Sequence, residues 1–340
     1  PLVHPLDRQP AVVLNPEIDA TGKTFDDEKD AAAYASLVRP LTKAWPKLAK
    51  EVLAPPHVPL RPLLMARFGS AGLASAAGFC KRFRGERAPA LFAGLAGHSA
   101  LPLDAKPGAA IGLMLAVAGH AVGWPMPKGG AQALTDALVA YLRSLGGVVE
   151  TGVRIGDLKE LPPARAYLFD AAPRHFARIA SRELPGSYVR RLEKFEHGPG
   201  VFKIDWALSS PIPWTDPTCR YAGTVHLGGA YEEVEASEKA VATGDHPRYP
   251  FVILAQPTRF DLSRAPTGRH TAWAYCHVPS GSSFNMTERI EAQVERFAPG
   301  FRECVVARST LNTGQLERLD ANLVGGDITG GAMTTKQLFA

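Results

Sequence analysis

Cysteine is scarce in this chain: four residues, Cys80, Cys219, Cys276 and Cys304, among 340. No two are close in sequence and no Cys-x-x-Cys occurs, which excludes a zinc-ribbon spacing and a disulfide framework. A reducing compartment is the simplest reading, so a cytoplasmic location is expected. Ten histidines are scattered without a His-x-x-x-His or His-Glu-x-x-His pattern, and no metal site is expected. Long apolar runs are missing as well. The most apolar stretch, Ala109 to Val122, is interrupted by His120 and is too short to cross a bilayer. No signal peptide is visible. Charge of one sign is nearly absent: 38 basic and 33 acidic side chains leave +5, too mild and too dispersed to imply a nucleic-acid partner. The densest basic run, Lys81 to Arg87, reads as a solvated surface. Membrane association through it is the less favoured expectation. There is no internal repeat, no low-complexity linker and no Gly-x-Gly-x-x-Gly. The chain opens on Pro1 and closes inside an ordered-looking stretch, Gly330 to Ala340, and both ends read as cuts.

What is present is ordinary globular material, 46% hydrophobic and 21% charged, enough to bury a core without staples. Residues 1–123 read as mostly helical. Tyr34, Leu37, Val38, Leu41, Trp45, Leu48 and Leu53 recur at helical spacing, with breaks required at Pro40 and Pro46 and a stop at Pro55-Pro56. Ala88–Ala100 and Ala109–Val122 read as buried helices. The cluster Gly123-Trp-Pro-Met-Pro-Lys-Gly-Gly130 is a turn-rich crossing. It precedes an amphipathic helix over 131–145 with Leu134, Leu138, Tyr141, Leu142 and Leu145 on one face, stopped by Gly146-Gly147. Val148–Ile155 and Ala166–Asp170 are expected strands, completing the returning half of an α/β nucleotide domain.

From residue 200 the period changes to two. Phe202, Ile204, Trp206 and Leu208 alternate with Lys203, Asp205 and Ala207, a half-buried strand. Further strands are expected at 221–227, 251–256, 271–278 and 301–309, with a helix over 287–297. No helical crossover separates 251–256 from 271–278, so an antiparallel sheet is predicted.

These residues together resemble a family. Gly123 to Gly130, a helix, and then Gly146-Gly-Val-Val-Glu-Thr-Gly-Val-Arg-Ile155 are similar to the Pro-x-Gly-Gly … Gly-Gly signature of phytoene-dehydrogenase-like, NAD(P)/FAD-dependent oxidoreductases. Asp170-Ala-Ala-Pro173, Val201 to Leu208 and Val324 to Gly331 match the style of that family. The resemblance is densest from 119 to 331. It implies a mixed α/β fold: an incomplete FAD-binding Rossmann-like core, an antiparallel substrate-domain sheet and a helical cap. Residues 1–123 would be the cap, 124–200 part of the FAD domain, 201–310 the substrate domain and 311–340 the return toward the FAD domain. The family's Gly-x-Gly-x-x-Gly, whose helix holds the FAD pyrophosphate, is absent from this sequence.

The resemblance also implies candidate cofactor contacts. Val153 would offer its backbone to an adenine. Asp170, Ala171 and Ala172 would stand at a strand end beside the ligand crevice, or simply begin a helix. Gly129 and Gly130 would pass near the flavin or only form the turn before the helix. Gly325, Gly326 and Asp327 would form a backbone nest or only a loop. No catalytic residue stands out. His98, His120 and His277 are polar groups in apolar surroundings, more simply satisfied structural histidines. Trp124, Trp206, Trp273 and Tyr275 would line a tunnel or pack the core. The activity implied is a dehydrogenase or desaturase, in which an apolar, isoprenoid-like small molecule gives hydride to FAD. The alternative is a non-catalytic binding or scaffold fragment without a competent FAD site. Oligomeric state is open.

Overall fold

The computed structural model describes residues 1–55 and 57–338. Pro56, half of the expected stop, and residues 339 and 340 of the terminal stretch lie outside the described residues. One mixed sheet organises the fold. Its strands are β1 (Leu2–Leu6), β2 (Gln9–Leu14), β3 (Gly200–Leu208), β4 (Thr224–Leu227), β5 (Val252–Ala255), β6 (His270–Val278) and β7 (Val305–Leu311). They lie in the order β2-β1-β4-β5-β6-β3-β7. Among the described residues only β1 and β4 run parallel; every other pair is antiparallel. The predicted antiparallel sheet is therefore present. The hairpin β1–β2 is not anticipated by the sequence pattern, because Pro5 and Pro10 sit inside it and proline argues against a strand interior.

Helices form most of the first third: α1 (Ile18–Gly22), α2 (Glu28–Lys43), α3 (Trp45–Val52), α4 (Pro62–Gly72), α5 (Ala76–Cys80), α6 (Arg87–Gly97) and α7 (Gly108–Val122). The expected helix over 26–53 breaks at Ala44, between α2 and α3, where Pro46 occupies the first turn of the new helix and is tolerated. α6 and α7 cross closely. A Cβ on Gly112 would stand 3.0 Å from the Phe92 ring and 3.2 Å from the backbone nitrogen of Ala96, so only glycine permits that approach. Next come α8 (Ala131–Ser144), α9 (Pro173–Ala180), α10 (Gly186–Glu193), α11 (Tyr231–Ala242), α12 (Thr287–Phe297), α13 (Phe301–Cys304), α14 (Thr313–Leu319) and α15 (Thr335–Leu338).

The strand period of two gives the sheet two distinct faces. Phe202, Ile204, Trp206 and Leu208 of β3, with Val252 and Leu254 of β5 and Ala272, Ala274 and Cys276 of β6, pack against Ile290, Val294 and Phe297 of α12. The opposite face is covered by the helical block only at its β2-β1-β4-β5 end. There Leu2, Val12, Leu14 and Ile253 join the core of α2, α6 and α7. Toward β6, β3 and β7 the same face stays partly open: Trp273, Tyr275, Lys203 and Asp205 are half-buried, while their neighbours along each strand are buried, and Thr271 is half-buried near the strand end.

Two expectations are corrected. Val148–Ile155 and Ala166–Asp170 are not strands, and residues 146–157 and 162–171 are irregular. A strand needs a neighbour to satisfy its amides and bury one face, and none of the seven strands runs beside these segments. α8 forms as predicted, yet none of its residues is buried; Leu134, Leu138, Tyr141 and Leu142 face outward. The segment expected to return into a nucleotide domain is thus α8 followed by coil rather than part of a parallel sheet.

Candidate functional site

A cavity of about 660 Å³ lies on the face of the sheet opposite α12, reaching from β4 and β5 across to β6 and β3. Its floor is a single row of pleat positions. Thr224 of β4 stands opposite Ala255 of β5, Ala255 opposite Trp273 of β6, and Trp273 opposite Asp205 of β3. Antiparallel register puts these four side chains on the same face, and a slip of one residue would replace them with core residues. The other walls are the crossing segment Trp124–Ala131 and the turn-rich stretch 257–264, which contributes Phe260, Asp261 and Arg264.

The crossing segment is held at both ends. The Trp124 indole Nε1 donates to Thr224 Oγ1 at 2.9 Å, fixing the ring against the floor. Gly129 N donates to Asp261 Oδ2 at 2.6 Å, and Arg264 Nη1 donates to the Gly129 carbonyl at 2.6 Å. Gly129 and Gly130 both have positive φ, and a Cβ on Gly130 would stand 2.8 Å from the Arg264 guanidinium. Glycine is therefore required here by the turn and by Arg264. Hydrogen bonds from the Ser263 hydroxyl and from the amides of Gly129 and Ser263, with Arg264 nearby, hold the Asp261 carboxyl below its ordinary range.

Trp273 lies nearly parallel to Tyr275, 12° between the planes with centroids 6.4 Å apart. Burial raises the Tyr275 phenol, so it stays protonated. Lys203 and Asp205 pair on the same face. The cavity lining contains no histidine, cysteine or serine, so no nucleophile–base relay is assembled there. Its lining combines Trp124, Trp273, Phe260 and Met126 with the charged side chains of Lys128, Asp205, Asp261 and Arg264.

A histidine cluster sits behind this cavity, between sheet and cap. His98 Nε2 meets His226 Nε2 at 3.0 Å, and the His98 ring stands edge-on to Trp124. His4 donates from Nε2 to the Gly229 carbonyl at 2.7 Å. The Nδ1 atoms of His4 and His226 are buried without partners. Burial pushes His4 and His98 down to about 4 and His226 well below the ordinary imidazole value. All three are neutral near pH 7. His277 goes the other way, raised by the Glu238 carboxylate 2.8 Å from its Nδ1 against the opposing effect of burial. His120 donates from Nδ1 to the Pro16 carbonyl and accepts from the Tyr34 hydroxyl, a structural histidine.

The residues singled out from sequence are not gathered in one place. Gly130 lines the cavity beside Gly129. Val153 lies in exposed coil, 62% accessible. Ala172 is buried at the start of α9, where its amide donates to Asn322 Oδ1 at 2.8 Å. Just before it Asp170 is exposed and Ala171 is half-buried. Asp327 is 1% exposed; its carboxylate accepts from Gly198 N, Thr329 N and Thr329 Oγ1 at 2.6–2.8 Å. Gly325 closes against Ser280 and Gly326 against Thr313. Trp124 and Trp273 meet at the cavity, whereas the Trp206 ring is turned into the α12 core, its Nε1 donating to Glu291. The sequence reading missed Asp205, Thr224 and Ala255 as floor residues. Their one signal was position in the strand alternation, which marks a face but not what covers it.

A second cleft of about 530 Å³ between α1 and α2 is rimmed by Asp19, Asp26, Asp27 and Glu28. Three of these carboxylates are already engaged, by Arg39, by the amides of Glu86 and Arg87, and by the amide of Lys29.

The mouse (Mus musculus) pyridine nucleotide-disulfide oxidoreductase domain-containing protein 2 is 28% identical over 303 residues, covering 76% of this chain and 52% of that protein. The rat (Rattus norvegicus) protein of the same name is 26% identical over 255 residues, covering 64% and 43%. The chain therefore spans about half the length of the curated relatives it matches. No family model matches. Among solved structures, an oxidoreductase from Methanosarcina mazei aligns over 91% of this chain and 67% of its own, at TM-score 0.52 and 15% identity. A triple mutant of putrescine oxidase aligns over 96% and 73%, at TM-score 0.53 and 13% identity. The fold is that of known oxidoreductases. In sequence, the similarity is to proteins named for a pyridine nucleotide-disulfide oxidoreductase domain.

The described residues do not build a pyrophosphate cradle. Such a cradle needs free amides at a glycine-rich helix start. At the start of α8 the Gly129 amide is taken by Asp261 and the turn is filled by Arg264. The Gly325–Asp327 turn is likewise closed by its own contacts. What they do provide is the cavity above the Thr224–Ala255–Trp273–Asp205 row.

Proposed function

We propose that this chain is the substrate-side portion of a flavin-dependent oxidoreductase, and that the cavity above the Thr224–Ala255–Trp273–Asp205 row receives the substrate. The cavity carries the proposal: it is roofed by the segment that crosses from cap to α8 and floored by the sheet from β4 and β5 across to β6 and β3. Redox chemistry would come from FAD, whose ring accepts hydride when bound. The described residues do not themselves supply a site for its phosphates. The outward apolar stripe of α8 and the unpaired segment 146–157 are surfaces that a fuller dinucleotide domain would cover.

In this reading the chain's own residues bind, orient and exclude water. Trp124, Trp273, Phe260 and Met126 surround an apolar body, and Asp205, Lys203 and Thr224 supply polar anchors. A phytoene-dehydrogenase-like desaturation of an apolar, isoprenoid-like molecule fits the lining best. An amine substrate is the second candidate, favoured by the Asp205 carboxylate, paired with Lys203, opposite the Trp273 indole.

The test is an absorbance spectrum of the whole protein, followed through gel filtration. Flavin bands near roughly 370 and 450 nm that travel with the protein and bleach on reduction are expected. Trp273→Ala should then weaken the spectral shift caused by an apolar ligand by about tenfold while the bands persist, since an indole buries about 1–3 kcal/mol worth of apolar contact. A colourless whole protein that takes up no FAD would sink the reading and favour a non-catalytic binding module.

A further inference from the structure

The 42 residues from 43 to 84 hold eight lysines and arginines and a single carboxylate, Glu51. The remaining 298 residues carry 30 basic and 32 acidic side chains, a net of −2. The whole positive excess of the protein is thus concentrated in one stretch of the cap. The same stretch displays the most exposed large apolar side chains of the cap: Leu53, Val58, Leu60, Leu63 and Leu73, between 63% and 87% accessible. Isolated exposed leucines are ordinary; Val58, Leu60 and Leu63, exposed within six residues of one loop and helix start in a stretch with a cation excess, mark an interaction surface.

The stretch is also a built feature. The Glu51 side chain, 1% accessible, accepts from the Leu60 amide at 3.1 Å and from Arg61 Nη1 at 3.1 Å, and meets His57 Nε2 at 3.2 Å. The lone carboxylate of the region is spent on closing the loop between α3 and α4, so it does not offset the surface cations. The closed loop holds Val58 and Leu60 outward, and Leu63 extends from the first turn of α4. Lys43, Lys47 and Lys50 are exposed on the helices leading into it.

We propose that this face docks on an anionic membrane surface, with Val58, Leu60 and Leu63 entering the headgroup–acyl boundary and the lysines meeting lipid phosphates. An interfacial element combines apolar tips with basic flanks in this way. The contrast with α8 supports the assignment. Its apolar stripe is as exposed, yet the helix carries one aspartate and one arginine and no cation belt, the composition of a face awaiting protein. No described helix is long and apolar enough to cross a bilayer, so the contact is peripheral. The inference does not rest on the oxidoreductase reading: a protein without flavin would dock equally.

The experiment is flotation of the whole protein with vesicles of phosphatidylcholine, alone or mixed with phosphatidylglycerol. Flotation with the anionic vesicles at low salt, weakened by salt and absent with phosphatidylcholine alone, is expected. Lys43→Gln, Lys47→Gln and Lys50→Gln together should lower partitioning on the order of a hundredfold, about fivefold for each lysine. Val58→Asp, Leu60→Asp and Leu63→Asp together should abolish flotation, and Leu134→Asp with Leu138→Asp in α8 should leave it unchanged. Should the aspartate variants fail to fold, Val58→Trp supplies an independent reading: the fluorescence of the added indole should be quenched by brominated acyl chains. Absence of flotation with anionic vesicles overturns the proposal, as does indole fluorescence from the Val58→Trp protein that brominated chains leave unquenched. Flotation surviving the loop substitutions, or a dimer dissolved by them without flotation, also overturns it, the last assigning the face to a second copy.

Discussion

Replacing Gly94 with alanine tests the packing between cap and sheet. Gly94 lies inside α6, where alanine would by propensity alone add about 1 kcal/mol of stability. Its added Cβ, however, would stand 2.6 Å from His226 Nδ1 and 2.8 Å from His4 Nδ1. Both rings are fully buried and anchored on their far sides, His4 by the Gly229 carbonyl and His226 by His98. Neither can retreat without stretching that hydrogen bond. Overpacking of a closed core costs about 1–3 kcal/mol, and a weakened hydrogen bond adds about 1 kcal/mol. Set against the helix gain, the net expectation is a loss of about 1–3 kcal/mol. At about 2.1 cal/mol/K per residue of unfolding entropy this lowers Tm by roughly 2–4 °C. Gly69, inside α4, is the control. Its Cβ would meet nothing nearer than Leu73 Cδ1 at 3.7 Å, so Gly69→Ala should stabilise by up to about 1 kcal/mol. Calorimetry and urea unfolding of the two variants read opposite signs. A Gly94→Ala protein as stable as the parent would refute the close approach of α6 to the two histidines.

The same histidines make stability depend on pH. His4, His98 and His226 have folded values pushed below the ordinary 6.5, so the unfolded chain binds more protons in acid. Their contribution is complete above about 6.5 and is lost as pH falls, for His4 and His98 by about pH 4 at about 1.4 kcal/mol per pH unit each, and for His226 in the same direction. His277 has the opposite sign, since its raised value favours the fold below 6.5 and the benefit goes as pH rises past the folded value. Urea midpoints measured across this range should fall steeply in acid, and His98→Gln should flatten the slope; an unchanged slope would show that His98 is not held neutral. Asp327→Ala should cost about 2–4 kcal/mol by chemical unfolding, because it strands the Gly198 amide in a buried site beside Thr329; a loss under about 0.5 kcal/mol would mean that the 196–200 and 325–331 segments are held by other contacts. Leu134→Lys with Leu138→Lys should change stability by less than about 0.5 kcal/mol per site while reducing self-association in light scattering, since neither side chain is buried.

Local chemistry was legible wherever a segment's own pattern decided its state. The alternation of 202–208, the break near Pro46, the 131–145 helix and the 287–297 helix all appear with ends within a few residues of those expected. The hydrophobic period marks a face, and turn residues mark an end, whatever the segment later touches. Pro40 is the exception, since α2 runs through it to Lys43. The larger failures share a different cause. Val148–Ile155 alternates like a strand but has no strand beside it, and α8 has an apolar stripe with nothing against it; neither fact is local. The hairpin β1–β2 forms despite its prolines because β1 gains β4 as a partner more than two hundred residues away.

The candidate site divides in the same way. The sequence by itself determined that Lys203 and Asp205 share a face, that Trp124 lies in a stiff crossing segment and that glycine follows it, since each depends on spacing and backbone preference within a few residues. Only the tertiary structure decided that Thr224, Ala255, Trp273 and Asp205 stand in one row, that Trp206 turns into the core while Trp273 faces the cavity, and that Glu51 is used up inside its loop. Those outcomes depend on strand order, register and burial, which are set by contacts between residues far apart in the chain and carry no signature at any one position.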